Sequence, residues 1–329
     1  MRRYLLAAMT VLVAAVSTAQ VNAETVMLRS GSYADFRQLV SREAATSEVS
    51  IAATLSFPDV ARDRYPAAVI VHGLGGYLES NDGWHAAEFR KAGFATLTYD
   101  SPTARSMRQG SSTDSRSGPP WASAVAEAYA ALTLLAADPR IDASRIAIVG
   151  FSFGGEVAHL AAFERLRAAL APGQNRFAAH VSYYPAGVYG VATEPAAYTG
   201  APILMLLGEK DDNLPVAKAE EYLTYARSAG SALPIEVSIY PGAYHAWTVP
   251  SLGAARFYPQ YPSTRKCPYL LLGPSRTALL ISGREAPMDP KVMQSCLKDG
   301  QGYTMAYDES ARAKSARETV DFLVKALRP

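Results

Sequence analysis
Gly150-Phe151-Ser152-Phe153-Gly154, followed directly by Gly155, has the spacing G-x-S-x-G. That pattern suits a serine hydroxyl carried at the apex of a tight turn between a strand and a helix. Small residues must flank the apex, because the backbone folds back on itself there. The helix N-terminus beyond it favours negative charge developing beside the hydroxyl. The plain alternative is a glycine-rich turn with an idle serine. A serine hydroxyl attacks a carbonyl only with a base to take its proton and an acid to orient that base. Gly208-Glu209-Lys210-Asp211 closes an apolar run 59 residues after the serine. Asp211 is the candidate acid and Asp212 its rival; both also read as ordinary turn residues ahead of Pro215. His245, in Pro241-Gly242-Ala243-Tyr244-His245, is the only one of five histidines that follows the acid. It is the candidate base.

An earlier glycine-rich segment, His72-Gly73-Leu74-Gly75-Gly76, ends another apolar run. It resembles the oxyanion loop of esterases, in which backbone N–H groups face a developing negative charge. The Leu74 N–H and the Phe153 N–H are the expected donors, with His72 in a structural role. A plain glycine-rich turn is the other reading. Glu156 and His159, three apart on a helix, suggest a metal site, but a single such pair is too few ligands, and His159 reads as packing. His85 and His180 also read as structural. Metalloprotease, nucleotide-phosphate and dinucleotide motifs are absent, so neither a metal nor an organic cofactor is implied.

These residues need strands and helices to position them. From about Ser47 onward, apolar strand-like runs alternate with helical patterns, which predicts a mostly parallel sheet covered by helices on both faces. Strands are expected over Glu48–Phe57, Ala67–His72, Phe94–Tyr99, Arg145–Val149, His180–Tyr184, Ile203–Leu207 and Ile235–Tyr240. Helices are expected over Trp84–Ala92, Trp121–Ala137 up to Pro139, Gly155–Leu170, Val216–Ala229 with Gly230 as its stop, and Ser310–Leu327 with Ser310 as its cap. Ser101–Pro120 reads as a loop at the carboxyl end of a strand, where open α/β sheets bind ligands. Pro250 to about Asp308, with a hairpin over Tyr269–Ser282, reads as an insertion after His245. It is expected to border the pocket as a lid or wall, its aromatic residues favouring a mid-size or aromatic group.

The N-terminus has the marks of a secretory signal. Arg2 and Arg3 precede an apolar run from Tyr4 to Val16, and Val21-Asn22-Ala23 supplies small residues for cleavage. An uncleaved anchor is the alternative, although a near-continuous apolar run of 13 residues falls short of a bilayer's span. Residues 1–23 are thus expected to be removed, leaving 24–329 as one domain in the periplasm or outside the cell. The whole chain has 32 basic and 30 acidic residues; without the signal it has 30 of each. That balance offers no electrostatic footprint for nucleic acid or an anionic membrane. Cys267 and Cys296 are the only cysteines, and in an exported chain such a pair reads as a disulfide. In the chain-entropy model, closing that loop stabilises by about 3–4 kcal/mol. Two unpaired thiols are the alternative.

With serine, acid and histidine in this order, the chain resembles the α/β-hydrolase superfamily, and within it the dienelactone hydrolase family. The resemblance is carried by Tyr65–Gly73, Gly93–Ser101 with Tyr99-Asp100-Ser101, Gly150–Gly155, Gly208–Asp211, Tyr240–His245 and Tyr307–Ala311. It covers about Ser47 to Leu327. Family members proper use a cysteine nucleophile and have no export signal, so the likeness is to exported relatives with serine. Such relatives often have an arginine near the site where Arg105 stands, which would hold a substrate carboxylate or shape the loop; a solvated arginine is the plain reading. The resemblance implies a serine hydrolase acting on a small-molecule carboxylic ester through an acyl-enzyme on Ser152. A serine peptidase or thioesterase on the same triad is the nearest alternative, and a non-catalytic exported binding protein a more distant one.

Overall fold
The computed structural model describes residues 23–107, 119–171, 173, 175–187, 197–228, 235–272, 277–281 and 284–327. Most of the proposed signal peptide and Gly230 lie outside these. The strands are β1 (Ala23–Ser32), β2 (Ser47–Ser56), β3 (Tyr65–Val71), β4 (Ala95–Tyr99), β5 (Ile141–Phe151), β6 (Ala179–Tyr183), β7 (Ile203–Gly208), β8 (Ile235–Tyr240), β9 (Arg256–Tyr258), β10 (Tyr269–Leu272), β11 (Thr277–Ile281), β12 (Arg284–Pro287) and β13 (Tyr303–Met305). The α-helices are α1 (Phe36–Val40), α2 (Trp84–Lys91), α3 (Ser101–Ala104), α4 (Trp121–Ala137), α5 (Phe153–Leu160), α6 (Glu164–Leu170), α7 (Val216–Ser228), α8 (Pro290–Asp299) and α9 (Glu309–Leu327).

Eight strands form one sheet in the order β1-β2-β4-β3-β5-β6-β7-β8. β2 runs antiparallel to both β1 and β4, and every other neighbouring pair is parallel. In β3 every residue is buried, as a two-faced parallel strand requires. Ala67, Val69 and Val71 enter the core shared with α4 and α5, while Ala68 and Ile70 enter the core under α2 and α9. Each buried Val or Ile contributes about 1.5–3 kcal/mol relative to exposure. Parallel pairing brings the carboxyl ends of β3, β5, β7 and β8 to one edge, so the loops after them converge.

The structure departs from the sequence expectations at several points. Gly155–Leu170 is not one helix: α5 ends at Leu160, and α6 starts at Glu164. Ala162 O and Glu164 N instead bond Thr199 and Ala197 of a neighbouring segment, so the helical ladder is interrupted by outside partners. Asp308, not Ser310, caps α9, its Oδ1 accepting from Ala311 N at 2.8 Å. A carboxylate at that position satisfies a free N–H and suits the helix dipole. β1 was not foreseen: only Leu28 of its ten residues is buried, and its outward face mixes Ala23 and Met27 with Thr25 and Arg29.

The chain from Pro250 to Asp308 leaves the sheet and builds a small cap. β10, β11 and β12 form an antiparallel sheet, with Leu272 opposite Thr277 in the expected hairpin; the hairpin's tip lies outside the described residues. β9 and β13 form a second pair. A disulfide joins Cys267 to Cys296 of α8, with Cα atoms 4.9 Å apart. The returning chain pairs Met305 with His245 in a parallel bridge, and Ala306 N donates to His245 O. No helix among the described residues is long and apolar enough to cross a membrane.

Candidate active site
Ser152 lies between β5 and α5 with φ 53° and ψ −109°, a conformation that costs free energy for a non-glycine residue. The surroundings hold it there. Its N–H donates to Tyr183 O at 3.0 Å, and its carbonyl accepts from Glu156 N and Ala186 N. The flanking glycines are obligatory: a Cβ on Gly150 would lie 1.8 Å from Gly154 O, and one on Gly154 would lie 2.1 Å from Val71 O. Tyr184 (φ 33°) and Ala246 (φ 60°), which line the same cavity as Ser152, also have positive φ.

The sequence-predicted residues meet here. Ser152 Oγ is 2.8 Å from His245 Nε2, and His245 Nδ1 is 2.8 Å from Asp211 Oδ2. A carboxylate only accepts, so the ring proton is on Nδ1, and Nε2 is left to accept from the serine hydroxyl. Asp211 Oδ1 accepts from Asn213 N (2.9 Å) and Leu214 N (3.2 Å), which fixes the carboxyl group's orientation. Gly208 lets the His245 loop pass close to β7, since a Cβ there would lie 2.6 Å from Ala243 O. Asp212 points elsewhere, accepting from Thr304 N at 2.7 Å and so tying β13 to this loop.

The Leu74 loop is oriented by His72. Ser101 N donates to His72 Nε2 at 3.2 Å, so the ring carries its proton on Nδ1 and donates it to Gly73 O at 2.6 Å. Burial favours this neutral ring by lowering its pKa. Gly73 C=O and Leu74 N–H belong to one trans peptide, so turning the carbonyl toward His72 turns the N–H away from it. Neither Leu74 N–H nor Phe153 N–H has a partner among the described residues, and both residues border the cavity that reaches Ser152.

Two cavities meet at Ser152, with Leu74 and Tyr303 bordering both. One, of about 390 Å³, is lined by Asn81, Asp82, Phe151, Tyr184, His245, Val249, Leu252, Tyr261 and Met305 among others. The second, of about 490 Å³, is mostly apolar, with Met107, Pro120, Trp121, Phe153, Pro262 and Leu297 on its walls. Tyr261, Pro262, Leu297 and Tyr303 come from the cap, so it walls both cavities.

Arg105 lines neither cavity. Its guanidinium pairs with Glu127 at 2.5 Å and donates to Ser32 Oγ at 2.8 Å. Its side chain is 12% exposed, so it is neither solvated nor turned to Ser152. His159 is fully buried with Nε2 3.1 Å from Tyr222 Oη, and no metal-binding group of His, Cys, Asp or Glu is found among the described residues. Asn81, Asp82, Tyr184 and Tyr303 were not foreseen at the site. Glu79-Ser80-Asn81-Asp82 reads in sequence as a solvated loop, and Tyr303 lies 58 residues beyond His245 with no local pattern to mark it.

The sheet, its strand order and the elbow at Ser152 define an α/β-hydrolase. More closely, the chain belongs to the dienelactone hydrolase family, whose model matches residues 51–261, more than half of its length. It is similar in fold to a dienelactone hydrolase-like promiscuous phosphotriesterase from metagenomic libraries, at 17% identity and TM-score 0.54, over 93% of this chain and 99% of that one. It is also similar to m3DLH, at 16% identity and TM-score 0.52, over the same shares. No curated protein matches it at a significant level.

Proposed function
We propose that the protein is an exported serine hydrolase that cleaves carboxylic esters of small molecules through an acyl-enzyme on Ser152. The observation that carries this reading is the hydrogen-bonded chain Ser152–His245–Asp211 at the junction of two cavities. As the Ser152 oxygen bonds to the acyl carbon, His245 Nε2 takes the hydroxyl proton and then gives it to the departing alcohol. Asp211 holds the imidazole in the required tautomer and stabilises its charged form. The N–H groups of Leu74 and Phe153 receive the oxyanion; losing one such donor costs about 10²–10³ in rate. Water, deprotonated by His245, then attacks the acyl carbon and releases the acid from Ser152. The apolar run from Tyr4 to Val16 and the Cys267–Cys296 disulfide support export, since such bonds persist in oxidising compartments.

The test compares wild type with Ser152→Ala on p-nitrophenyl esters of graded chain length. A fall of at least about 10³-fold is expected in the variant. Equal rates in both proteins would sink the reading. Export is checked by the N-terminus of the secreted chain, expected at Glu24.

A further inference from the structure
We propose that Asn81 and Asp82 form a subsite that binds a free hydroxyl group of the substrate, on the part of the ester seated in their cavity. This inference rests on the serine-hydrolase reading and adds the substrate class. Both residues line the cavity that holds Ser152 and His245, yet they are only 2% and 1% exposed. They belong to a π-helical turn, Glu79–Gly83, a geometry found disproportionately at functional sites. Most of the polar atoms of this turn are spoken for. Asp82 Oδ2 accepts from Leu78 N at 2.7 Å, Asp82 Oδ1 accepts from Asn81 Nδ2 at 3.3 Å, and Asn81 O takes the His85 ring at 2.9 Å. Asn81 Oδ1 alone of the Asn81 and Asp82 side-chain atoms has no hydrogen-bond partner.

A buried acceptor without a donor needs an explanation, because such groups are nearly always satisfied. Leu78, Val249, Leu252 and Met305 of the same cavity carry no side-chain donor, and the hydroxyls of Ser251, Tyr261 and Tyr303 that also line it are not bonded to Asn81 Oδ1. A ligand group that donates a hydrogen bond fits it. The turn is also held rigid from outside: Arg312 of α9 donates to Ser80 O at 2.7 Å and stacks over the Trp84 ring at 3.9 Å. Burial pushes the Asp82 carboxyl up to about 7, so below neutral pH the pair presents little fixed charge. That favours a neutral hydroxyl over an ammonium group. The apolar second cavity suits the unhydroxylated part of such an ester.

The test uses the full chain, expressed for export, and two matched pairs of esters. The first pair is 2,3-dihydroxypropyl butanoate and propyl butanoate; the second is methyl 3-hydroxybutanoate and methyl butanoate. In one pair, kcat/KM is expected to be at least about tenfold higher for the hydroxylated ester, since sites built to bond a hydroxyl reject the analogue lacking it. In Asn81→Leu, or in Asn81→Ala if the larger side chain prevents folding, that ratio falls to within about twofold of unity. Wild-type ratios near unity in both pairs overturn the subsite and leave the hydrolase reading standing. A preference unchanged in the Asn81 variants places the hydroxyl elsewhere and also overturns it. No turnover of any of the four esters overturns the subsite, and fluorophosphonate labelling of Ser152 then shows whether the hydrolase reading falls with it.

Discussion

The phenol ring of Tyr303 stands edge-on to the imidazole of His245, with ring centroids 4.9 Å apart and planes at 75°. Tyr184 meets the same imidazole from another direction, at 5.2 Å and 69°. The proposed base is therefore held by aromatic contacts as well as by Asp211, and one of those contacts comes from the cap. Tyr303→Ala is expected to lower kcat about 10- to 100-fold on p-nitrophenyl esters by loosening the imidazole. Tyr303→Phe keeps the ring and is expected to stay within about threefold of wild type. Equal losses in both variants would show that the hydroxyl, not the ring contact, matters.

Adjacent aspartates divide two tasks. Asp211 orients His245, whereas Asp212 holds Thr304 of the cap. Asp211→Asn turns an acceptor into a donor and forces the wrong tautomer on the ring, so kcat is expected to drop about 10⁴-fold. Asp212→Asn should leave kcat within a few-fold and cost about 1–2 kcal/mol in urea unfolding, through the weakened bond to Thr304 N. The reverse ranking would make Asp212 the catalytic acid.

Arg105, just beyond α3, and Glu127 of α4 form a buried ion pair. Burial raises the Glu127 pKa, and Arg105 is its main opposing influence. Arg105→Ala leaves that carboxyl group without its cation and is expected to cost about 3–5 kcal/mol in urea unfolding. Arg105→Met with Glu127→Gln should recover most of the loss. KM for a carboxylate-bearing ester should change no more than KM for its neutral counterpart. A selective rise in KM for the acidic ester would instead give Arg105 a place in substrate binding.

His180 is fully buried in β6, and desolvation pushes its pKa down to about 4. The unfolded chain binds a proton there below about 6.5, which the folded chain refuses until about pH 4. The unfolded state thus holds more protons in that window, and stability falls as pH drops from about 6.5 to 4. His180→Gln lacks this titration. The stability difference between wild type and the variant, followed by urea unfolding, should shift against wild type by about 3 kcal/mol across that window. A pH-independent difference would show that the ring titrates normally.

How much was legible in the sequence follows from the range over which each signal acts. The elbow could be read because its first requirement is local: Gly150 has no room for a Cβ beside Gly154 O, and the strand and helix that flank it have their own periodicities. Asp211 and His245 could be placed because each closely follows a strand of the sheet, β7 and β8, and parallel pairing brings those ends together. Asp211 stood as the candidate with Asp212 as its rival, since neighbouring residues in a turn share most local signals, and the bond to a partner 34 residues away is what distinguishes them. The division of Gly155–Leu170 into two helices was likewise invisible, because the bonds that interrupt it come from Ala197 and Thr199.

Composition and pattern determined the layered α/β architecture, the serine at a tight turn, and the order of the residues around it. Tertiary structure alone decided what surrounds them. It turned Arg105 onto Glu127, set Tyr303 against His245, and buried the polar run containing Asn81 and Asp82 in the wall of a cavity. The physical reason is that burial and pairing belong to surfaces assembled from distant segments. A charged or polar residue carries no mark in its own neighbourhood of which surface it will meet, whereas a glycine squeezed by its own turn carries that mark within five residues.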